Sequence, residues 1–246
     1  MLIARRIAAA VVPCGMLFAT IVAAADVPLE DRSRDDKRAL AGVQNYVGEW
    51  RSVGQPKRGS NQGAWTEQST WAWHFEDARA EVAADLAGSK YFSKLRLQAG
   101  DKPGEFVLLA TPLGKANADK PRRFTGNISH GAVVLTADEP QGNEPARLTF
   151  RLVAGGDRML VLYEKGSGES FTRLAEVGST RKGSSFARAG ANGPECVVTG
   201  GLGTIVVEHE GKKYYVCCSG CRDYFLENPA GVLAEYRERK AAEKNK

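Results

Sequence analysis

The strongest constraint on the fold is a two-residue alternation of aromatic and polar side chains between residues 63 and 75. The odd positions carry Trp65, Trp71, Trp73 and Phe75, whereas the even positions carry threonine, glutamine and histidine. Successive side chains of a β-strand point to opposite faces. The pattern therefore predicts a strand with an aromatic inner face.

Similar short segments, separated by glycine-containing turn signals, recur along the next hundred residues. About ten strands are expected between residues 46 and 177, and a short helix capped by Ser33 is expected before them, over residues 33–47. The strand candidates are 46–53, 63–75, 82–86, 95–97, 106–110, 122–128, 132–135, 148–152, 159–164 and 171–177. Many short strands joined by hairpin-like turns indicate an antiparallel barrel or sandwich, and we predict an up-and-down barrel.

A Gly48-Glu49-Trp50 motif follows the predicted helix and opens the first strand. An entry helix, a Gly-x-Trp motif and about ten meandering strands together resemble the lipocalin and fatty-acid-binding-protein group. The resemblance implies a closed barrel over residues 26–177, with an interior that could hold a small apolar ligand. In the alternative interpretation, Trp50 and the tryptophans of the second strand simply fill the core, since small barrels can be packed solid.

The first 25 residues are typical of a secretory signal peptide. Arg5 and Arg6 precede an apolar run from Ile7 to Val22, and the small residues 23–25 follow. The run contains a proline and is short for a membrane span. We therefore expect cleavage, no remaining membrane span and a secreted or periplasmic protein. Loss of the two arginines lowers the formal charge from +5 to +3, and so small an excess predicts no nucleic-acid partner.

The remaining chain divides by composition. Residues 178–193 are rich in glycine, serine and alanine, which predicts a flexible linker. Residues 194–246 contain the four cysteines that remain after cleavage, namely Cys196, Cys217, Cys218 and Cys221. The predicted barrel contains none of these cysteines and so does not depend on disulfides.

The C-terminal segment predicts a small α+β module. Two apolar segments, 204–209 and 213–216, flank a glycine-containing turn and indicate a hairpin. A helical pattern from residue 230 to about 240 closes the segment. A module of about 50 residues buries little apolar surface, so bound metal would contribute directly to its folding. Cys217 and Cys221 would lie near a helix start, where the dipole favours thiolates.

This segment resembles the YHS and TRASH families of small metal-binding modules, which are built like a treble-clef finger. The matching stretches are Cys196-Val-Val-Thr-Gly200, Gly211-Lys-Lys-Tyr-Tyr215, Cys217-Cys-Ser-Gly-Cys221 and Phe225-x-x-Asn-Pro229. The resemblance implies that zinc or a heavy-metal ion binds to Cys196, Cys217 and Cys221.

One position departs from the pattern of these families. Many members have a second cysteine where this chain has Thr199. A closed zinc site needs four ligands, and Cys218, His209, water or a partner's side chain could supply the fourth. Three thiolates with an open position would suit Cu(I).

Two hypotheses about function follow. The first is an exported, non-enzymatic protein that binds zinc, copper or another thiophilic ion through these cysteines. The second is a lipocalin-like carrier of a small apolar ligand, with the cysteine module structural and disulfide-bonded. An enzyme acting inside the barrel is a third interpretation, but the sequence lacks a nucleophile elbow, a phosphate-binding loop and a His-Glu-x-x-His motif. Cys218-x-x-Cys221 has the spacing of a redox motif, but the chain lacks the βαβ context of an oxidoreductase. No catalytic residues are predicted.

Overall fold

The computed structural model describes residues 29–114, 120–182 and 193–244. Ten antiparallel strands close into a barrel in which each strand pairs with its neighbours in the chain and β1 pairs with β10. The strands are β1 Gly48–Gln55, β2 Trp65–Glu76, β3 Arg79–Ala87, β4 Phe92–Ala99, β5 Glu105–Pro112, β6 Arg122–Ser129, β7 Ala132–Ala137, β8 Arg147–Val153, β9 Arg158–Ser167 and β10 Ser170–Arg181. The prediction of a mainly β protein with an up-and-down ten-stranded barrel is confirmed.

The last barrel strand is longer than the sequence predicted. β10 continues to Arg181, whose Cα pairs with that of Trp50 and so closes the barrel. The prediction that a linker begins at residue 178 was wrong, because the small and polar residues here form the last part of a barrel strand. Ser179 is buried and its hydroxyl bonds the Ser52 hydroxyl at 2.8 Å. Residues 183–192 of the predicted linker and the predicted signal peptide lie outside the described residues.

Two helical segments precede the barrel. Helix α1 spans Leu29–Ala39, and a 3-10 helix over Leu40–Tyr46 leads into β1. The short predicted helix is thus present, but it starts earlier and tightens in its second half. The Trp50 indole N–H donates to the Tyr46 carbonyl at 2.9 Å, which fixes the entry of the chain into β1.

A buried carboxylate attaches α1 to the β2–β3 hairpin. The Asp36 carboxylate accepts hydrogen bonds from Arg79 Nε at 2.7 Å and from the backbone N–H of Ala80 at 2.9 Å. Because charge-assisted bonds are the stronger ones, Asp36 is the main polar link between α1 and the barrel wall.

The barrel interior is closely packed. Trp50, Trp71 and Trp73 are at most 3% exposed. A small pocket between the 3-10 helix and the inner wall has a volume of about 10 Å³, comparable to the space that one water molecule needs. It is lined by Tyr46, Trp71, Leu97, Leu108, Val133 and Phe150. These tryptophans therefore fill the core, as the alternative interpretation of the sequence expected.

The cysteine segment folds as a hairpin followed by two helices. The elements are β11 Ile205–His209, β12 Lys212–Val216, α2 Ser219–Glu227 and α3 Pro229–Lys244. Glu210 and Gly211 both have positive φ, 50° and 70°, as a type I′ hairpin turn requires. The predicted hairpin and C-terminal helix are confirmed.

The module packs directly on the barrel. β1 begins at Gly48, which pairs with Trp71, so β2 continues for five residues past the start of β1. Helix α2 covers this exposed edge, and the ring of Tyr224 stacks on that of Phe75 with centroids 4.1 Å apart. Buried residues of the barrel and of the module form one continuous hydrophobic cluster.

The two ends of the described chain also meet. The Lys37 ammonium on α1 lies 2.5 Å from a carboxylate oxygen of Glu235 on α3, and Arg34 pairs with Glu238 at 2.8 Å. Lys37 is only 8% exposed.

Among the described residues, no helix is both long enough and apolar enough to cross a membrane.

Candidate metal site

A tight turn after residue 194 positions Cys196. The Cys196 N–H donates to the Gly201 carbonyl at 2.6 Å, and the Gly200 N–H donates back to the Cys196 carbonyl at 2.8 Å. Gly200 has a φ of 81°, which glycine adopts without strain. The Val197 N–H donates to the Tyr215 carbonyl, so the turn is fixed against β12.

The other cysteines lie where β12 passes into α2. Cys217 follows the last residue of β12, Cys218 is the N-cap of α2, and Cys221 lies in the first turn of that helix. Because Cys217 and Cys221 flank one turn of chain, their Sγ atoms approach to 3.5 Å. The early position in α2 also directs the helix dipole toward these sulfurs.

Three of the four sulfurs converge. The Sγ atoms of Cys196, Cys217 and Cys221 all lie within 4.8 Å of one another. A tetrahedral zinc ion with bonds of about 2.3 Å would hold pairs of sulfurs about 3.8 Å apart, so small side-chain rotations would bring these three to bonding distance. Cys196 and Cys221 are fully buried, whereas Cys217 is partly exposed. The arrangement can hold a metal ion.

Cys218 lies beside this group rather than in it. Its Sγ atom is 3.9 Å from that of Cys217, and it accepts a hydrogen bond from the backbone N–H of Trp73 at 3.3 Å. Cys218 thus also contacts the barrel edge, and its role as a ligand stays a prediction.

The structure does not bring His209 into the three-sulfur group. His209 ends β11, and its ring packs edge-on against Phe225 at a centroid distance of 6.2 Å. Its nearest carboxylate belongs to the neighbouring residue Glu210, at 3.9 Å.

Thr199 lies at the site. Its Oγ1 atom is 3.6 Å from Cys217 Sγ. In the sequence, Thr199 was notable only because many members of the YHS and TRASH families have a cysteine at this position. The structure shows that its hydroxyl lies against the sulfur of a candidate ligand.

The clustered thiols change one another's proton affinity. Hydrogen bonds from Cys217 and Cys221, with a smaller contribution from the Trp73 N–H, lower the pKa of Cys218. Hydrogen bonds from the same two thiols, together with the Thr199 hydroxyl and N–H, lower the pKa of Cys196. Burial raises the pKa of Cys221. A cation that bonds these sulfurs would displace the protons that they carry.

The four cysteines are free thiols in the structure. The separation of 3.5 Å between the sulfurs of Cys217 and Cys221 is well beyond the bond length of about 2.05 Å in a disulfide. The alternative of a disulfide-bonded module is thus not the state that the structure describes.

Comparison with known proteins adds little. No family model matches the chain, and no curated protein matches it. Among solved structures, the crystal structure of Rv2717c from M. tuberculosis is similar over 58% of this chain and 97% of that chain, with 14% sequence identity and a TM-score of 0.37. A similarity at this level has no implication for function.

Proposed function

We propose that this chain is an exported, non-enzymatic protein that binds one thiophilic metal ion, zinc or copper, through Cys196, Cys217 and Cys221. The observation that carries the proposal is the convergence of these three sulfurs within 4.8 Å. Cys196 and Cys217 are separated by twenty residues in the sequence, so their meeting is a product of the fold.

The chemistry of the donors favours a soft or borderline cation. Thiolates select zinc and Cu(I), whereas magnesium and calcium prefer oxygen ligands. Among the His, Cys, Asp and Glu side chains of the described residues, these three cysteines form the group whose ligand atoms lie close enough together to hold a metal ion. The signal-like N-terminus supports export, and the absence of a known catalytic motif from the sequence supports a binding role.

The barrel supports this proposal better than it supports a carrier. The small cavity beside Trp71, of about 10 Å³, could not itself hold an apolar ligand, because pockets for such molecules measure several hundred Å³. In this proposal the barrel is the rigid support on which α2, and with it the metal site, is positioned.

The test is elemental analysis of purified protein lacking residues 1–25, combined with a count of free thiols under anaerobic conditions. We expect one equivalent of zinc or copper, and its loss in Cys217→Ser and Cys196→Ser. His209→Gln is the matched control, because His209 lies outside the three-sulfur group; this variant should keep its metal.

Two results would contradict the proposal. Metal-free protein that takes up neither zinc nor Cu(I) when its thiols are reduced would reject it. Stoichiometric binding of an apolar fluorescent dye that is displaced by an extracted small molecule would instead favour the carrier.

A further inference from the structure

Thr199 occupies a specific place in the turn that presents Cys196. It lies three residues after Cys196, where its Oγ1 atom reaches to 3.6 Å from Cys217 Sγ. The hydroxyl and the N–H of Thr199 also interact with the sulfur of Cys196. One threonine therefore touches two of the three candidate ligands.

A hydroxyl differs from a thiol in the chemistry that it offers here. An aliphatic hydroxyl keeps its proton at neutral pH and donates a hydrogen bond, whereas a thiolate bonds the metal directly. Thr199 can thus support the sulfurs from outside the coordination shell without adding a fourth anionic ligand. Partners of this kind orient metal ligands and tune their affinity.

Two further candidate donors, Cys218 and His209, lie outside the three-sulfur group. The Cys218 sulfur accepts the Trp73 N–H, and the His209 ring packs on Phe225. Neither belongs to the group of sulfurs that lie within 4.8 Å of one another. Three protein ligands remain, and a zinc site with three protein ligands keeps an open position.

The accessible side of the site is defined by burial. Cys196 and Cys221 are 0% exposed, whereas Cys217 is only partly buried. An incoming ligand can therefore reach the ion most directly from the side of Cys217, whose sulfur the Thr199 hydroxyl contacts.

We infer that Thr199 determines the coordination of this site: its hydroxyl supports the sulfurs from outside the coordination shell, so the ion is held by three sulfurs with one position open and is passed to competing thiol ligands. The inference rests on the proposed function and adds a transfer role to it. In the exchange, an incoming thiol loses its proton and bonds the ion, and the Cys217–metal bond breaks. The Cys217 sulfur then takes up a proton, and no oxidation state changes.

The experiment uses Co²⁺ as the probe ion on the reduced full chain lacking residues 1–25. The sulfur-to-cobalt charge-transfer absorption reports the number of thiolate ligands. In Thr199→Cys we expect this absorption to rise by about one third, as three sulfur ligands become four. Transfer of cobalt to excess dithiothreitol should slow by about tenfold or more, because the open position is closed.

A second variant tests the hydroxyl without adding a cysteine. Thr199→Val keeps the shape of the side chain and removes its donor, so cobalt affinity should fall on the order of tenfold. Thr204→Val is the matched control. The Thr204 hydroxyl donates to the carbonyl of Cys217 at 3.1 Å rather than to its sulfur, so its loss should leave cobalt affinity unchanged.

Two outcomes overturn the inference while leaving the proposed function intact. One is a wild-type protein with the absorption of four sulfur ligands that Thr199→Cys does not increase. The other is a Thr199→Val variant that binds and transfers cobalt as Thr204→Val does. Failure of every variant and of the wild type to bind cobalt, zinc or Cu(I) would instead reject the proposed function itself.

Discussion

The backbone N–H of Trp73 donates a hydrogen bond to the Sγ atom of Cys218 at 3.3 Å. Trp73 lies on β2 past the start of β1, where the edge of the barrel would otherwise be unpaired. The Cys218 sulfur thus provides the acceptor for a backbone N–H of β2 that has no partner in β1. This contact places the candidate metal site at the junction between the barrel and the module.

Removing the Cys218 sulfur should weaken this junction without removing the metal. In Cys218→Ala the buried Trp73 N–H loses its acceptor, which costs about 1–3 kcal/mol of the free energy of unfolding. Chemical denaturation measures the loss, and elemental analysis should still give one equivalent of metal. Loss of the metal in this variant would show instead that Cys218 is a ligand.

Gly220 permits the close approach of α2 to the barrel. A Cβ atom at this position would lie 1.6 Å from the Trp73 carbonyl oxygen, so Gly220→Ala must separate the helix from β2. We expect a loss of about 2 kcal/mol or more in unfolding free energy, although alanine favours helices over glycine. Gly201→Ala is the control for thermal denaturation, because its new Cβ would meet only atoms at 3.8 Å or farther. Equal melting temperatures would contradict this prediction.

Two adjacent aspartates on α1 offer a matched pair. Asp36 is buried and accepts bonds from Arg79 and Ala80, whereas Asp35 is exposed and pairs with Arg38 one turn away. Asp36→Ala should lower the free energy of unfolding by about 2 kcal/mol. Asp35→Ala should change it by no more than about 0.5 kcal/mol. Urea titrations of the two variants measure the difference, and a similar loss in both would show that Asp36 does not hold the helix.

Glu67 should make stability depend on pH. It is buried on the inner face of β2 and accepts the Trp65 indole N–H at 2.9 Å. Burial is the main cause of the raised pKa of its carboxyl. Because the folded state then binds the proton more tightly, the contribution of Glu67 is fully present below its ordinary pKa and is lost as the pH rises through the folded-state pKa.

Glu67→Gln removes this titration and keeps an acceptor for Trp65. The unfolding free energy of Glu67→Gln should therefore rise relative to that of the wild type between low and neutral pH. Glu76→Gln, an exposed change on the same strand, is the control. A pH-independent difference between Glu67→Gln and the wild type would contradict the assignment.

Much of the barrel follows from side-chain alternation. The aromatic positions of β2 repeat every second residue, and their burial in the structure matches that pattern at Trp71 and Trp73. The end of β10 was not predicted, because Gly178 and Ser179 are residue types that are common in linkers. Their place in the barrel depends on a polar partner, Ser52, that lies over 100 residues away in the chain.

The candidate site was predictable in its ligands but not in its surroundings. The spacing of Cys196, Cys217 and Cys221 and their resemblance to known modules pointed to one site. The hydrogen bond from Trp73 to Cys218 uses a backbone N–H, which every residue except proline has, so the residue type does not indicate it. The approach of Thr199 to Cys217 likewise depends on how a turn and a helix start are packed together.

The contact between α1 and α3 has a consequence for biosynthesis. A ribosome makes α1 first, yet the buried ammonium of Lys37 finds its carboxylate only when Glu235 has emerged. Because an unpaired buried charge would cost several kcal/mol, burial of the Lys37 ammonium and docking of α3 are expected to occur together. Docking of the cysteine module against the barrel is therefore a late event that follows synthesis of nearly the whole polypeptide.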